Sequence, residues 1–370
     1  MSAISSLSSF LQNINLVQTS QDQIAQLTYQ VDTGLKSQSL SGYGNQANQL
    51  LNLQSSQTTE QNYVANNTQT STFLTAYDQT LGQISTDATS LNASLDAFSA
   101  TDATSATNLK TLVNSLSIDI SATLNTQVGS RYLYGGTRYS TAPVGDLTSY
   151  IQNNAPTYTA PSVASLTVTD GTVPATLPSP QTTPPTILVP GYDSQATTLN
   201  ASSTPSTAVL ADAAQTYATQ TTAVANSQTA SYGVSSNDPT FQHLVYALQN
   251  AYAAANTSTT TAAGLAQQQA YLNQAKSEIE LVLNGSTTTS PTVTGLPGLQ
   301  DQNGTTETVV ASANTVHTQT LATLQSQITT ITQVDPATVA TELTAAQNTL
   351  AGSYKVVSSV LNDTLLNYLK

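Results

Sequence analysis

Cysteine and tryptophan are both absent from this chain of 370 residues. Without cysteine there can be no disulfide, no thiolate metal site and no thiol nucleophile. Charge is scarce as well, at 7% of residues against about 25% in an average soluble protein. Solubility therefore rests on Ser, Thr, Asn and Gln. The balance is acidic, with 7 Lys+Arg against 20 Asp+Glu and a formal net charge of -13. The cations Lys36, Lys110, Arg131, Arg138, Lys276, Lys355 and Lys370 are scattered, whereas phosphate binding needs them clustered. Nucleic-acid binding and adhesion to an anionic membrane are thereby disfavoured. No run approaches the roughly 18 apolar residues of a membrane span, so no membrane insertion is expected. The first twenty residues lack Lys and Arg, unlike a cleavable secretory signal. Any export is expected to retain the N-terminus.

Apolar residues are periodic at the two ends. Phe10, Ile14, Val17, Ile24, Leu27 and Val31 recur at steps of 3, 4 or 7, the spacing of a stripe on one helix face. Ser41-Gly42-Tyr43-Gly44 interrupts the pattern, since glycine disfavours helix. From about Gln46 a second run carries Leu74, Tyr77, Leu81, Ile84, Ala88, Leu91, Leu95 and Phe98, with steps alternating between 3 and 4. That is a heptad seam of the coiled-coil kind. A third run places Leu109, Val113, Leu116, Ile120, Leu124 and Val128 on one face and stops at Gly129.

The C-terminal half has the same character. A helical segment is expected from Phe241 to about Leu283, and Leu321, Leu324, Ile328 and Ile331 keep the 3/4 step. Asp335-Pro336 has the form of a helix cap followed by a first-turn proline. The last helix aligns Val339, Leu343, Ala346, Leu350, Tyr354, Val357, Leu361, Leu365 and Tyr368.

The middle differs in kind. Ten of the 14 prolines fall between Pro143 and Pro205, which forbids long helices there. Leu166-Thr167-Val168-Thr169 before Asp170-Gly171 reads as a strand and hairpin turn, and Ile187-Leu188-Val189 as another strand. A second loop is expected from about Asn284 to Thr306, which is rich in glycine and proline.

The expected fold is mainly α. The N- and C-terminal segments close on each other as a long antiparallel coiled-coil rod, with a β-rich insertion where the chain turns back. The N-terminal helix occupies residues 1–42, shaft helices 46–134, and the insertion head 135–235. C-terminal shaft helices follow over 236–334, with a loop at 284–306, and the final helix spans 336–370. Narrow stripes bury well in a bundle and poorly on a free rod, and little charge opposes lateral packing of copies. On periodicity alone, a self-contained bundle with the seams as internal core fits equally well.

Three segments carry a family resemblance. Gln127-Val128-Gly129-Ser130-Arg131-Tyr132-Leu133-Tyr134-Gly135-Gly136-Thr137 resembles the "G-x-Y-L-F-G-G" segment that closes the N-terminal helical region of bacterial flagellins and hook–filament junction proteins. Tyr232-Gly233-Val234, then Asp238-Pro239-Thr240-Phe241 and Leu244-Val245-Tyr246-Ala247-Leu248, is similar to that group's return to its C-terminal helices. Leu350-Ala351-Gly352-Ser353-Tyr354 through Leu365-Leu366-Asn367-Tyr368-Leu369 is similar to the tail "L-x-A-S-Y … S-L-L-N-Y-L". The matches lie in the right order, and with their helical flanks cover roughly two-thirds of the chain.

The resemblance implies terminal helices that form an inner tube, a coiled-coil shaft and a variable outer domain. It further implies an extracellular flagellar location, reached without a cleaved signal through the type III export apparatus with an export chaperone. The implied partners are copies of the same chain and other hook-associated or filament subunits. Intersubunit packing would fall to Phe10, Ile14, Val17, Ile24, Leu27, Val31, Leu350, Tyr354, Val357, Leu361, Leu365 and Tyr368. The shaft seam would comprise Leu74 to Phe98, internal to each subunit, with Leu321, Leu324, Ile328 and Ile331. Gly129, Tyr132, Leu133, Tyr134, Gly135 and Gly136 form the family motif. One departure is Asp32 to Gly44, which lacks the Asp pair of the flagellin segment "S-S-G-x-R-I-N-S-A-x-D-D-A-A-G". The "L-L-N-Y-L" ending is closer to the third hook-associated (junction) protein than to a major flagellin. The junction protein is therefore the first expectation, the major flagellin the second, and a stalked adhesion or glycan-binding module the third.

Residues fit for catalysis are few. His243 and His317 are the only histidines and the only candidates for neutral-pH proton transfer. Neither has an acid at ligand spacing, His317 being ten residues from Glu307, so a solvated or packing role is expected for both. Glu278 and Glu280 lie two apart on a helix and point to different faces, which suggests a solvated surface. Gly135-Gly136 follows a helix without the strand or lysine of a phosphate loop and is read as a helix-terminal turn. No enzyme activity, cofactor or metal is expected.

Overall fold

A computed structural model describes residues 2–100, 102–136, 139–140, 142–153, 155, 219–236, 238–289 and 292–368. The chain is mainly helical and divides into two compact units, Met1–Val64 with Val316–Lys370, and Ala65–Thr315. The two strand segments expected around Leu166 and Ile187 lie outside the described residues, as does most of the expected insertion.

In the first unit, α1 (Ser2–Thr33) ends where Gly34 turns to a φ of 70°. The Gly34 N–H donates to the Gln30 carbonyl, so a left-handed glycine closes the helix. A 3-10 turn (Leu40–Gln46) follows, with Gly44 at φ 52° inside it, before α2 (Ala47–Asp96) begins. The last helices are α7 (Gly295–Thr332) and α8 (Pro336–Tyr368). Asp335 caps α8, as its sequence indicated, accepting from the Ala337 N–H at 3.1 Å and the Thr338 hydroxyl at 2.9 Å. Between α7 and α8 the chain pairs with the segment after α1: Leu35 bridges Gln333, and Val334 N–H donates to the Gly34 carbonyl. α1 and α8 then run antiparallel, with Leu27, Val339 and Ala346 buried between them. A separate small core joins Leu50 of α2 to Ile328 and Ile331 of α7.

The second unit holds the large core. The seam residues Leu74, Tyr77, Leu81, Ile84, Ala88, Leu91 and Leu95 of α2 are all buried. They are joined by Leu109, Val113, Leu116, Ile120 and Leu124 of α3 (Ala103–Leu124). α3 starts on Asp102, whose side chain accepts from the Thr104 N–H, and ends before Gly129 because Asn125 leaves the helix to bond Val144. Two short strands, β1 (Gln127–Val128) and β2 (Arg131–Tyr132), turn about Gly129 at φ 65°. A short α4 (Leu147–Asn153) adds Leu147 and Ile151 to the core. An antiparallel hairpin of β3 (Gln220–Ala225) and β4 (Gln228–Tyr232) is tied to α2 by Asn67 Nδ2 donating to the Val224 carbonyl. Its Ala230 and Val224 pack with Leu74 and Val310.

Several boundaries differ from the expected ones. The N-terminal helix, expected over 1–42, ends at Thr33, because Gly34 turns left-handed there, and the shaft helices, expected to 134, end at Leu124. The segment from Phe241 to Leu283 is two helices, α5 (Pro239–Asn256) and α6 (Ala262–Asn284). The break occurs where Thr257 turns extended and Thr261 caps α6 by accepting from the Gly264 N–H. Ser and Thr favour such local side-chain bonds over continuing a helix. The expected loop at 284–306 is shorter, because α7 already begins at Gly295. Pro297 lies in its first turn, where no backbone N–H partner is lost.

Candidate functional site

The residues expected to pack between subunits are distributed unevenly over α1 and α8. Leu27 is buried within its own unit, and Ile14, Val17, Ile24, Leu350 and Val357 are half-buried. Val31 and Tyr354 are exposed, Tyr354 by 49% with its hydroxyl accepting from Gln21 Nε2. The side chains of Phe10, Leu361, Leu365 and Tyr368 lie outside the described residues. Exposed beside them are Leu11, Leu16 and Val356, each about half accessible. The pair of helices thus buries a thin internal stripe and leaves apolar side chains facing outward. Of the second expected seam, Ile328 and Ile331 are buried while Leu321 and Leu324 are half-buried.

The Gly129–Gly136 segment is set into the large core. Leu133 and Tyr134 are buried, and the Tyr77 phenol of α2 donates to the Leu133 carbonyl. Tyr134 meets Tyr77 edge-on at 5.3 Å and Phe241 at 5.6 Å, and its hydroxyl shares a 2.6 Å hydrogen bond with Thr80. Burial pushes both phenols above the usual tyrosine range, Arg131 opposing this at Tyr77 and the Thr80 bond at Tyr134. The Arg131 guanidinium lies against the faces of Phe73 and Tyr139, at 5.1 and 5.4 Å. Gly135-Gly136 follows β2 and not a helix, so the expected helix end is not found there; Gly136 does turn, at φ 55°, and its carbonyl accepts from Gln220 Nε2.

Both histidines are buried, as the packing alternative of the expectation has it, but each has an acid partner that was not expected. His243 of α5 and His317 of α7 are each 5% exposed, and each Nδ1 is hydrogen-bonded to a glutamate Oε2, from Glu278 of α6 and Glu60 of α2 respectively. Neither imidazole is solvated. Glu278, expected at a helix surface, is buried, and its other oxygen accepts from Gln274 Nε2. Glu280 is exposed, on a different face as expected. His317 also stacks on Tyr63, rings 4.9 Å apart and 15° from parallel.

Spacing within one segment could not reveal these pairs, because the partners are 35 and 257 residues apart. A fainter signal was available. Glu278 continues the steps Gln268, Tyr271, Ala275 and Val282 along α6, so an acid occupied a stripe position.

A groove of about 730 Å³ runs along α2 and α7, lined by Asn67, Ser71, Thr72, Thr75, Gln79 and Asn314 among others. Its walls carry amides, hydroxyls and small apolar groups and no charge. Among the described residues, no group of three or more His, Cys, Asp or Glu is placed to hold a metal ion. No described helix is long and apolar enough to cross a membrane. No protein-family model matches the chain, and no curated protein matches it either.

Proposed function

We propose that this chain is a structural subunit of the bacterial flagellum, of hook–filament junction or flagellin-like type, which self-assembles through its terminal helices. The observation that carries the reading is the antiparallel pair α1 and α8. Helices of 32 and 33 residues bury Leu27, Val339 and Ala346 between them while Leu11, Leu16, Val31, Tyr354 and Val356 remain exposed. Apolar stripes of this length are stabilised by packing rather than by intrinsic helix propensity, and copies of the chain can supply the missing surface. The three motif segments support the same reading, and the first of them is anchored in the core through Tyr77 and Tyr134. The proposed architecture is a coiled-coil rod with a β-rich insertion, extracellular, exported by the type III route with an export chaperone. Its partners are other copies and neighbouring hook-associated or filament subunits.

The test is truncation of residues 1–40, or separately 341–370, in the source bacterium. Loss of filament attachment and motility is expected, and normal filaments from both truncations would refute the reading. Immunogold labelling along intact flagella then separates the two flagellar alternatives. Label at the hook end supports the junction protein, and label along the filament supports the major flagellin.

A further inference from the structure

We propose that the groove between α2 and α7 is a binding site for a neutral saccharide. It lies within the second unit, walled by α2 between Asn67 and Gln79, by α7 between Val310 and Thr315, and by Val128 of β1. Its volume of about 730 Å³ falls in the range of small-molecule sites. Self-association through α1 and α8 involves other surfaces, so the site is independent of the flagellar reading.

The class of ligand follows from where the protons of the groove already go. A hydroxyl has one proton and two lone pairs. The Thr72 hydroxyl donates back to the Thr68 carbonyl and the Thr315 hydroxyl to the Ala311 carbonyl, each at 3.0 Å. Both oxygens are thereby left to the groove as acceptors. Asn67 is wholly buried in the inner wall, and its Nδ2 donates to the Val224 carbonyl at 3.1 Å. Its Oδ1 has no hydrogen-bond partner among the described residues, an unmet acceptor that costs stability until a donor enters beside it. A fitting ligand must therefore place several donors close together. A saccharide carries a hydroxyl, with a freely turning proton, on most ring carbons. An extended peptide offers one N–H per residue, and successive ones point to opposite sides.

Charge and apolar surface point the same way. No charged side chain lines the groove, so neither an anion nor a cation finds a counter-charge in its walls. Ala76, Val310 and Ala311 supply apolar wall for the C–H face of a sugar ring. Val128 stands directly across the β1–β2 pair from Arg131, on the same face. The Arg131 guanidinium holds the ring of Tyr139 at 5.4 Å, and Tyr139 is 53% exposed. An aromatic surface, apolar in body and polar at its tip, thus lies beside the Val128 wall. Ser71 and Gln79 add a hydroxyl and an amide that can donate to the oxygens of the sugar.

The experiment titrates the full, isotope-labelled chain with maltotriose or with N,N′-diacetylchitobiose and follows the side-chain amide NMR signals of Asn67 and Gln79. A saturable shift with a Kd of about 10 mM or tighter is expected from at least one of the two. An uncharged Gly-Ser peptide of similar size is expected to leave the signals in place. Thr72 and Thr315 are both exposed, so Thr72→Val with Thr315→Val removes the two outward acceptors at little cost to the fold. That double variant is expected to bind roughly tenfold more weakly, with its unfolding temperature unchanged. Thr75→Trp, which puts a large ring into the groove, is expected to abolish the shift. Binding weaker than about 10 mM by both saccharides would overturn the proposal. So would a peptide that shifts these signals where the saccharides do not, or undiminished affinity in both variants. Should a variant not fold, the wild-type titration against the peptide decides by itself.

Discussion

The Tyr77 hydroxyl donates to the Leu133 backbone carbonyl, joining the buried face of α2 to the glycine-flanked segment that follows α3. The contact turns a sequence motif into a core element, because Leu133 and Tyr134 are buried only where Tyr77 and Thr80 receive them. Gly233 faces the same hydroxyl, where a Cβ would stand 3.0 Å from Tyr77 Oη.

Tyr77→Phe is expected to leave the Leu133 carbonyl without its donor and to cost about 1–3 kcal/mol in denaturant unfolding. It should also reduce alkaline sensitivity. Burial pushes the Tyr77 and Tyr134 phenols above the usual range, so the folded chain holds these protons more tightly than the unfolded one. Their contribution is complete below about pH 10, the unfolded value, and is lost as pH rises above it. Unfolding temperatures measured across that range should fall less steeply for Tyr77→Phe than for the wild type.

Asp87 offers the opposite opportunity. It is buried on α2, with Oδ1 accepting from Gln83 at 3.0 Å and Oδ2 without a hydrogen-bond partner among the described residues. Burial raises its carboxyl above the ordinary value, the Gln83 bond opposing this and Asp119 adding to it. The charged form is therefore a burden on the fold at neutral pH. Asp87→Asn is expected to raise the unfolding temperature at pH 7, with the gain shrinking as pH falls towards the ordinary carboxyl range. A variant no more stable than wild type at pH 7 would contradict this.

Leu91→Ala and Leu16→Ser should separate the two kinds of stripe. Leu91 is fully buried in the large core, and its truncation is expected to cost about 2–5 kcal/mol. Leu16 is 50% exposed on α1. Leu16→Ser combined with Val356→Ser should leave the monomer's unfolding within about 0.5 kcal/mol per site and reduce self-association in analytical ultracentrifugation.

Gly285→Ala is expected to destabilise the turn between α6 and α7. Gly285 adopts φ 72°, and an added Cβ would stand 2.5 Å from the Thr294 carbonyl oxygen. Its N–H also closes α6 onto Leu281. The cost should appear in denaturant midpoints, whereas Gly304→Ala, with open space around it in mid-helix, should be neutral or stabilising.

The mainly helical fold, the α2 seam, the interruption around Gly44 (though not its start at Gly34) and the Asp335 cap were legible in the sequence, because each depends on periodicity or on a residue's own backbone preference. The division of 239–284 into two helices was not, since Thr257 to Thr261 is a run of neutral polar residues that either state accepts. Nor was the role of the polar residues on the stripes. From Leu50 the steps of 3 and 4 along α2 pass through Leu53, Gln57, Glu60, Val64, Asn67 and Thr70 before reaching Leu74, and along α7 from Leu296 through Leu299, Asn303, Thr306, Val310, Ala313 and His317. An apolar-only reading drops Glu60, Asn67, Asn303 and His317, yet each bonds an element distant in sequence. The sequence by itself determined which residues share a helix face, since that is a local property of 3.6 residues per turn. Only the tertiary structure decided what that face meets: a glutamate 257 residues away for His317, a neighbouring helix for Leu91, and solvent for Leu16 and Tyr354. Burial and hydrogen-bond pairing depend on which helices the closed chain brings together.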